Sequence, residues 1–196
     1  MKLNGDKSKL LFIERIRPKD EENHCLHLFD DIIRPAKQAK FLGIEIDSSL
    51  SFKEHFEATC LKSQKRLNVL RVLSRSGVEP KTLVRLYKVY IRPIIEYGSL
   101  SFLAAPNRYF GKLEKIQNEA LRISLHLPSY IRTGLLHEYA SIVTITDRLH
   151  SLNKKLLAKM SVHSSDVKKL MDDYNANINA FESTKTPLEV LLALNR

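Results

Sequence analysis

Asp30 and Asp31 stand side by side between Phe29 and the Ile32–Ile33 pair. Adjacent carboxylates next to an aromatic residue are what a nucleotide polymerase uses to hold two divalent ions at a growing 3′ end. That chemistry also draws on a carboxylate from an earlier strand, and only Asp6, Glu14, Asp20, Glu21 and Glu22 precede the pair. Phe29 abuts the pair directly, without the spacer residue polymerases usually place there. Short apolar runs flank the two aspartates, and Asp tolerates turn geometry by bonding its own backbone. The pair is expected in a hairpin turn rather than an active site.

A second aspartate pair, Asp172-Asp173, lies in a segment where Val167, Leu170, Met171, Tyr174 and Ile178 recur at helical spacing. That stripe leaves both carboxylates on the solvated face. His24-Cys25-His27 looks like a fragment of a metal site, but zinc wants four ligands with paired spacings and no second pair follows. No G-x-S-x-G element and no phosphate-cradling glycine loop is present. The catalytic and metal positions of this chain are therefore expected to be none.

The basic residues say more. The 196 residues carry 32 Lys and Arg against 22 Asp and Glu, a formal net charge of +10. Between Ser51 and Tyr130 there are fourteen Lys and Arg against six Glu, so most of the excess lies in one stretch. Lys62, Lys65 and Arg66 stand close together, and Arg71, Arg75, Lys81, Arg85, Lys88 and Arg92 continue the series. Such an excess favours a polyanionic partner. Basic side chains on helices give phosphate contacts without reading bases.

These residues need elements to place them. Leu10-Leu11-Phe12-Ile13 suits a short strand. Residues 40–47 alternate in part, with Gly43 inside the pattern marking a bulge or a close backbone approach. From Ser51 the period becomes helical, with Ser51 and Glu54 forming a capping box. Gly77 ends that helix and Pro80 opens the next, which Pro93 should kink or deprive of one hydrogen bond. A third helix runs from near Pro106 until Pro128 stops it. A fourth starts at Thr144, capped with Asp147, on a stripe of Ile145, Leu149, Leu152, Leu156 and Met160. A weaker helix covers Asp166–Ile178 and a last short one Leu188–Leu194. The fold class is α+β, mainly α: a short antiparallel hairpin element at the N-terminus followed by a helical bundle.

Hydrophobic residues make up 43% of the chain, enough for a real core. Cys25 and Cys60 are read as reduced thiols of an intracellular protein, nuclear or cytoplasmic. No apolar run is long enough to span a membrane.

Several stretches, in order, resemble LINE-type (non-LTR) retrotransposon reverse transcriptases. Leu3-Asn4 with Lys7-Ser8-Lys9-Leu10-Leu11-Phe12 resembles the segment after their catalytic box. Lys40-Phe41-Leu42-Gly43-Ile44, then Asp47-Ser48 and Leu50-Ser51-Phe52, resembles the primer-grip hairpin. Leu86-Tyr87-Lys88 with Ile91-Arg92-Pro93-Ile94-Ile95-Glu96-Tyr97-Gly98-Ser99 resembles the thumb helix. Leu113-Glu114-Lys115-Ile116-Gln117-Asn118-Glu119-Ala120-Leu121-Arg122 resembles the next helix, and Leu136-His137-Glu138 a short one after it. The resemblance covers roughly residues 1 to 160 and is strongest as an ordered set. The family often has Trp where this chain has Phe52 and Phe102, and this chain has no Trp.

The resemblance implies the end of the palm over 1–50, a helical thumb over 51–163 and a helical tail over 164–196. By the family's order the catalytic Asp-Asp pair precedes the Asn-x-x-Lys-Ser-Lys segment, so it is expected upstream of Met1 together with its Mg ions. The chain alone is then expected to be inactive and to hold no cofactor. Its implied partners are an RNA/DNA primer–template duplex and an upstream fingers and palm domain, with no membrane. Phe41 and Leu42 would shape the grip and Gly43 would let the strand approach the primer backbone. Lys62, Lys65, Arg66 and Arg71 would contact phosphates from the first thumb helix. The competing reading is a degenerate, non-catalytic helical module that binds nucleic acid or another protein.

Overall fold

The computed structural model describes residues 8–13, 25–28, 31–102 and 105–176. The mainly helical α+β architecture expected from the sequence is what it shows. The chain divides into two units, 1–58 and 59–196.

Among the described residues the first unit holds two antiparallel hairpins. β1 (Leu26–Leu28) pairs with β2 (Asp31–Ile33), Leu28 lying opposite Asp31. The expected hairpin is there, with Asp31 already in its second strand; Phe29, Asp30 and His24 lie outside the described residues. β3 (Gln38–Phe41) pairs with β4 (Ile44–Asp47), Phe41 opposite Ile44. Gly43 is not a bulge, as its place in the strand pattern suggested. It shares a two-residue turn with Leu42, at φ +83° and +46°. Two left-handed residues make the turn whose twist matches that of the flanking strands. Leu10 makes a single parallel bridge to Pro35 instead of the expected strand; its carbonyl accepts the Ala36 N–H at 2.8 Å.

Asp47 ties β4 to the first helix, α1 (Lys53–Arg75). Its carboxylate accepts the N–H groups of Ser49 (3.0 Å), Ser51 (3.1 Å) and Phe52 (2.7 Å), and the hydroxyls of Ser49 and Ser51. The Ser51–Glu54 capping box is replaced by this arrangement. The Ser51 hydroxyl donates to Asp47 and accepts the Lys53 N–H at 3.4 Å. Partial burial alone would raise the Asp47 carboxyl. The hydrogen bonds from Ser49, Ser51 and Phe52 outweigh it and hold the group below its ordinary value.

The second unit is a helical bundle. α1 ends before Gly77, which takes φ +79°, and Pro80 opens α2 (Pro80–Leu86) as expected. A π turn, Tyr87–Ile91, links α2 to α3 (Arg92–Glu96). In a regular α-helix the Pro93 ring would meet the carbonyl one turn back and leave it without a donor. Here the Arg92 N–H bonds to the Tyr87 carbonyl, one residue further back than in an α-helix. The wider turn is how the helix accommodates Pro93, where a kink or a lost bond was expected.

α4 (Asn107–Leu125) stops at His126, whose φ is +54°, two residues before Pro128. α5 (Thr133–Ala140), α6 (Ile145–His163) and α7 (Ser165–Ala176) follow. Leu67 and Leu70 of α1, Leu83, Val84, Tyr87 and Ile91, Ile116, Ala120 and Leu121 of α4, and Leu136 of α5 form one buried cluster. Thr144 caps α6 and bonds Asp147 reciprocally, at 3.1 and 2.7 Å. The buried face of α6 is Ile145, Leu149, Asn153 and Leu157: the expected stripe holds at Ile145 and Leu149 and then fails, with Leu156 and Met160 exposed. Buried Asn153 accepts the Ser99 hydroxyl on its Oδ1 at 2.8 Å, while its Nδ2 has no partner among the described residues. α7 carries Asp172 on an exposed position, as expected; the segment from residue 177, including the Leu188–Leu194 helix, lies outside the described residues.

Candidate nucleic-acid interface

The tip of the β3–β4 hairpin presents Phe41 at 64% and Leu42 at 72% exposure. Both features are costly. A leucine at positive φ is strained, and an exposed apolar pair gives up burial. The turn chemistry would favour Asn or Gly at position 42. Gly43 carries no side chain at the same tip, so the three residues read from the sequence do converge. They belong to the first unit, while the basic candidates belong to the second.

The four basic candidates separate into two kinds. At about 100° per residue, Lys62, Lys65 and Arg66 fall within about 100° of α1's circumference, and Arg71 lies about 180° from Lys62. Lys62 and Lys65 are exposed: Lys65 points away from the face of the buried Thr59, Ser63, Leu67 and Leu70, and Lys62 lies at the edge of that face. Neither forms an ion pair among the described residues. Arg66 is folded inward: its guanidinium donates to the Tyr90 carbonyl inside the π turn and lies 4.4 Å over the Tyr90 ring. Arg71 pairs with Glu119 of α4 and donates to Asn68 at 2.6 Å. Further basic side chains recur at i, i+4, i+7 spacing along α2 and the π turn after it (Lys81, Arg85, Lys88) and on α4 (Arg108, Lys112, Lys115).

A polar network inside the second unit went unread in the sequence. The fully buried Tyr87 hydroxyl donates to Gln117 Oε1 at 2.7 Å, and Gln117 Nε2 donates to the Val143 carbonyl at 2.9 Å. Burial pushes the Tyr87 phenol up from its ordinary value, so it remains a neutral donor. Glu114 accepts the Ile145 N–H at 2.7 Å, placing a carboxylate at the N-terminus of α6. His137 Nε2 lies 2.7 Å from Asn118 Oδ1 and 3.2 Å from Glu114 Oε1. Both neighbours are acceptors, so Nε2 carries the proton. These partners are 19 or more residues apart, and no spacing signal links them.

Asp31 is exposed on β2, and Cys25 is a free thiol. Among the described residues, no group of three or more His, Cys, Asp or Glu is placed to hold a metal ion. Among them, too, no helix is long and apolar enough to cross a membrane.

Comparison with known proteins gives the site its context. Over 136 residues the chain is 27% identical to the probable RNA-directed DNA polymerase from transposon BS of Drosophila melanogaster. That match covers 68% of this chain and 15% of the relative. It is 25% identical over 140 residues to the RNA-directed DNA polymerase from mobile element jockey of the same species, covering 69% and 15%. The chain is a distant relative of these polymerases. A third, the probable RNA-directed DNA polymerase from transposon X-element, is 23% identical over 129 residues, covering 64% and 14%. The reverse-transcriptase resemblance read from the ordered segments is borne out. The chain spans about 15% of the length of the curated relatives it matches. No family model and no solved structure matches it.

Proposed function

We propose that this chain is the part of a retrotransposon RNA-directed DNA polymerase that holds the primer–template duplex. In this reading the β3–β4 tip is the primer grip and the helical unit is the thumb. The observation that carries it is the tip itself. Phe41 and Leu42 stand exposed on a strained turn, and such strain persists where function needs the shape. Gly43 gives a neighbouring sugar-phosphate backbone room to approach. Lys62 and Lys65, exposed and without ion-pair partners among the described residues, supply phosphate contacts. Arg66 and Arg71, already bonded within the protein, add charge more than contact. In this reading metal-dependent nucleotide addition is the work of carboxylates in another part of the polymerase. The grip's contribution is positioning, where an error of about 1 Å can cost about a hundredfold in rate.

Photo-crosslinking tests this directly. A benzophenone side chain in place of Phe41 is expected to label the primer strand of an RNA–DNA hybrid. Labelling of the template strand alone, or of neither strand, overturns the grip.

A second reading, a protein-interaction module, is favoured by one observation: Leu61 and Val72 are exposed on the same outer face of α1 as Lys65. Neutralising Lys62 and Lys65 separates the two. A nucleic-acid module loses affinity for hybrid, and an interaction module keeps its partner.

A further inference from the structure

A cleft of about 610 Å³ opens between α4, α5 and the segment leading into α6. Gly111 of α4 and Gly134 of α5 both line it. Neither takes a positive φ, and a Cβ built on either would meet nothing within 4 Å. Alanine would fit both positions, and a helix prefers Ala to Gly by about 0.5–1 kcal/mol. Neither backbone geometry nor internal packing therefore explains the two glycines. What they leave is open space beside bare backbone.

The cleft is lined with hydrogen-bonding groups that the protein does not use. Asn118 is 8% exposed and lines the cleft. Its Oδ1 faces His137, and among the described residues its Nδ2 has no acceptor. No side chain caps α5, and no acidic residue lies in its first turn. Among the described residues nothing accepts the N–H groups of Thr133 and Gly134, which also line the cleft. Donors thus gather at the α5 end, where a helix N-terminus favours an anion. Asp147 lines the cleft as well; its Oδ2 accepts the Thr144 hydroxyl and its Oδ1 is left as an acceptor. Glu114, also in the lining, is already engaged by His137 and the Ile145 N–H. Arg108, Lys112 and Lys115 form the adjoining stripe of α4.

An anionic group next to a donor-bearing ring satisfies both walls, and the volume suits one small ligand. From this we propose that the cleft takes one unpaired nucleotide of a nucleic-acid strand. Its phosphate lies on the Thr133 and Gly134 N–H groups and the Asn118 amide, and its base amino group faces Asp147. A base bearing an amino group, as guanine, cytosine and adenine do and uracil does not, matches a carboxylate. The strand continues along the basic stripe of α4. This inference rests on the nucleic-acid reading above and adds a single-strand site separate from the duplex contacts of Lys62 and Lys65.

The test uses the full chain, a fluorescein-labelled single-stranded RNA octamer containing G and C, and a blunt RNA–DNA hybrid. The double variant G111A/G134A should melt at a higher temperature than the wild type, because Ala replaces Gly in two helices. Its octamer affinity should fall about tenfold, since two methyl groups obstruct charge-assisted hydrogen bonds. Its hybrid affinity should stay within about twofold, because the duplex contacts lie elsewhere. Thr133→Pro, which removes the N–H group at the first position of α5, should weaken octamer binding alone. Guanosine 5′-monophosphate should displace the octamer where equal inorganic phosphate does not. Octamer affinity unchanged in both variants overturns the cleft while hybrid binding leaves the duplex reading standing. Equal competition by inorganic phosphate overturns the nucleotide. Failure of the chain to bind either probe at low salt overturns both readings.

Discussion

Arg66 was a phosphate candidate by its neighbours in sequence, and its geometry makes it chiefly a clamp on the π turn. Arg66→Ala removes a charged donor from the Tyr90 carbonyl and a cation 4.4 Å above the Tyr90 ring. A hydrogen bond from a charged group contributes about 1.5–3 kcal/mol, and a cation–π contact about 0.5–1 kcal/mol where solvent reaches it. Arg66 is half-buried and the two contacts share one guanidinium, so the sum is discounted to about 2–3 kcal/mol. For a chain of this size that lowers the melting temperature by about 5–10 °C. Arg66→Lys keeps the charge without the planar fork and should recover less than half of the loss. Urea unfolding followed by circular dichroism reads the stability, and anisotropy with an RNA–DNA hybrid reads binding. The expected pattern is a large loss of stability with a small loss of affinity in Arg66→Ala. Stability within about 0.5 kcal/mol of the wild type, with affinity lost, would refute the clamp and restore Arg66 as a phosphate contact.

Leu42→Asn should stabilise the hairpin, because Asn accepts the left-handed turn, while weakening crosslinking of the primer at position 41; opposite signs in melting and crosslinking check it. Tyr87→Phe leaves buried Gln117 Oε1 without its donor and should cost about 1–3 kcal/mol in urea unfolding. Asp47 has a depressed pKa in the folded chain, so its contribution is complete above the unfolded value and lost as pH falls through the folded one. The stability gap between wild type and Asp47→Asn should therefore be constant above about pH 4 and close below it. A gap that widens on acidification would reverse the sign of that argument.

Local punctuation in the sequence carried much of the fold. Gly77, Pro80 and the Thr144–Asp147 cap act within a few residues, so their consequences follow from spacing alone. Gly43 was misplaced because strand alternation does not say where the ladder reverses, and Leu at the other turn position hides the usual signal. The α6 stripe drifted because periodicity counts apolar residues, whereas the buried face includes Asn153, which bonds Ser99, 54 residues away. Pro93 announced a disturbance but not its form, since a π turn also needs partners such as Arg66 to hold it. In the candidate site, Lys62 and Lys65 were legible as charge, but their difference from Arg66 and Arg71 was not. That difference depends on Tyr90 and Glu119, which only tertiary packing brings near. The cleft was the least legible part: Gly111 and Gly134 inside helical segments were its sequence signals.

The most direct test of the central claim is the salt dependence of RNA–DNA hybrid binding by the wild type and by K62A/K65A. Affinity should fall linearly on a log–log plot, and the double variant should flatten the slope by about two units, one for each lost phosphate contact. Binding that is indifferent to salt, or a slope the double variant leaves unchanged, would contradict the account.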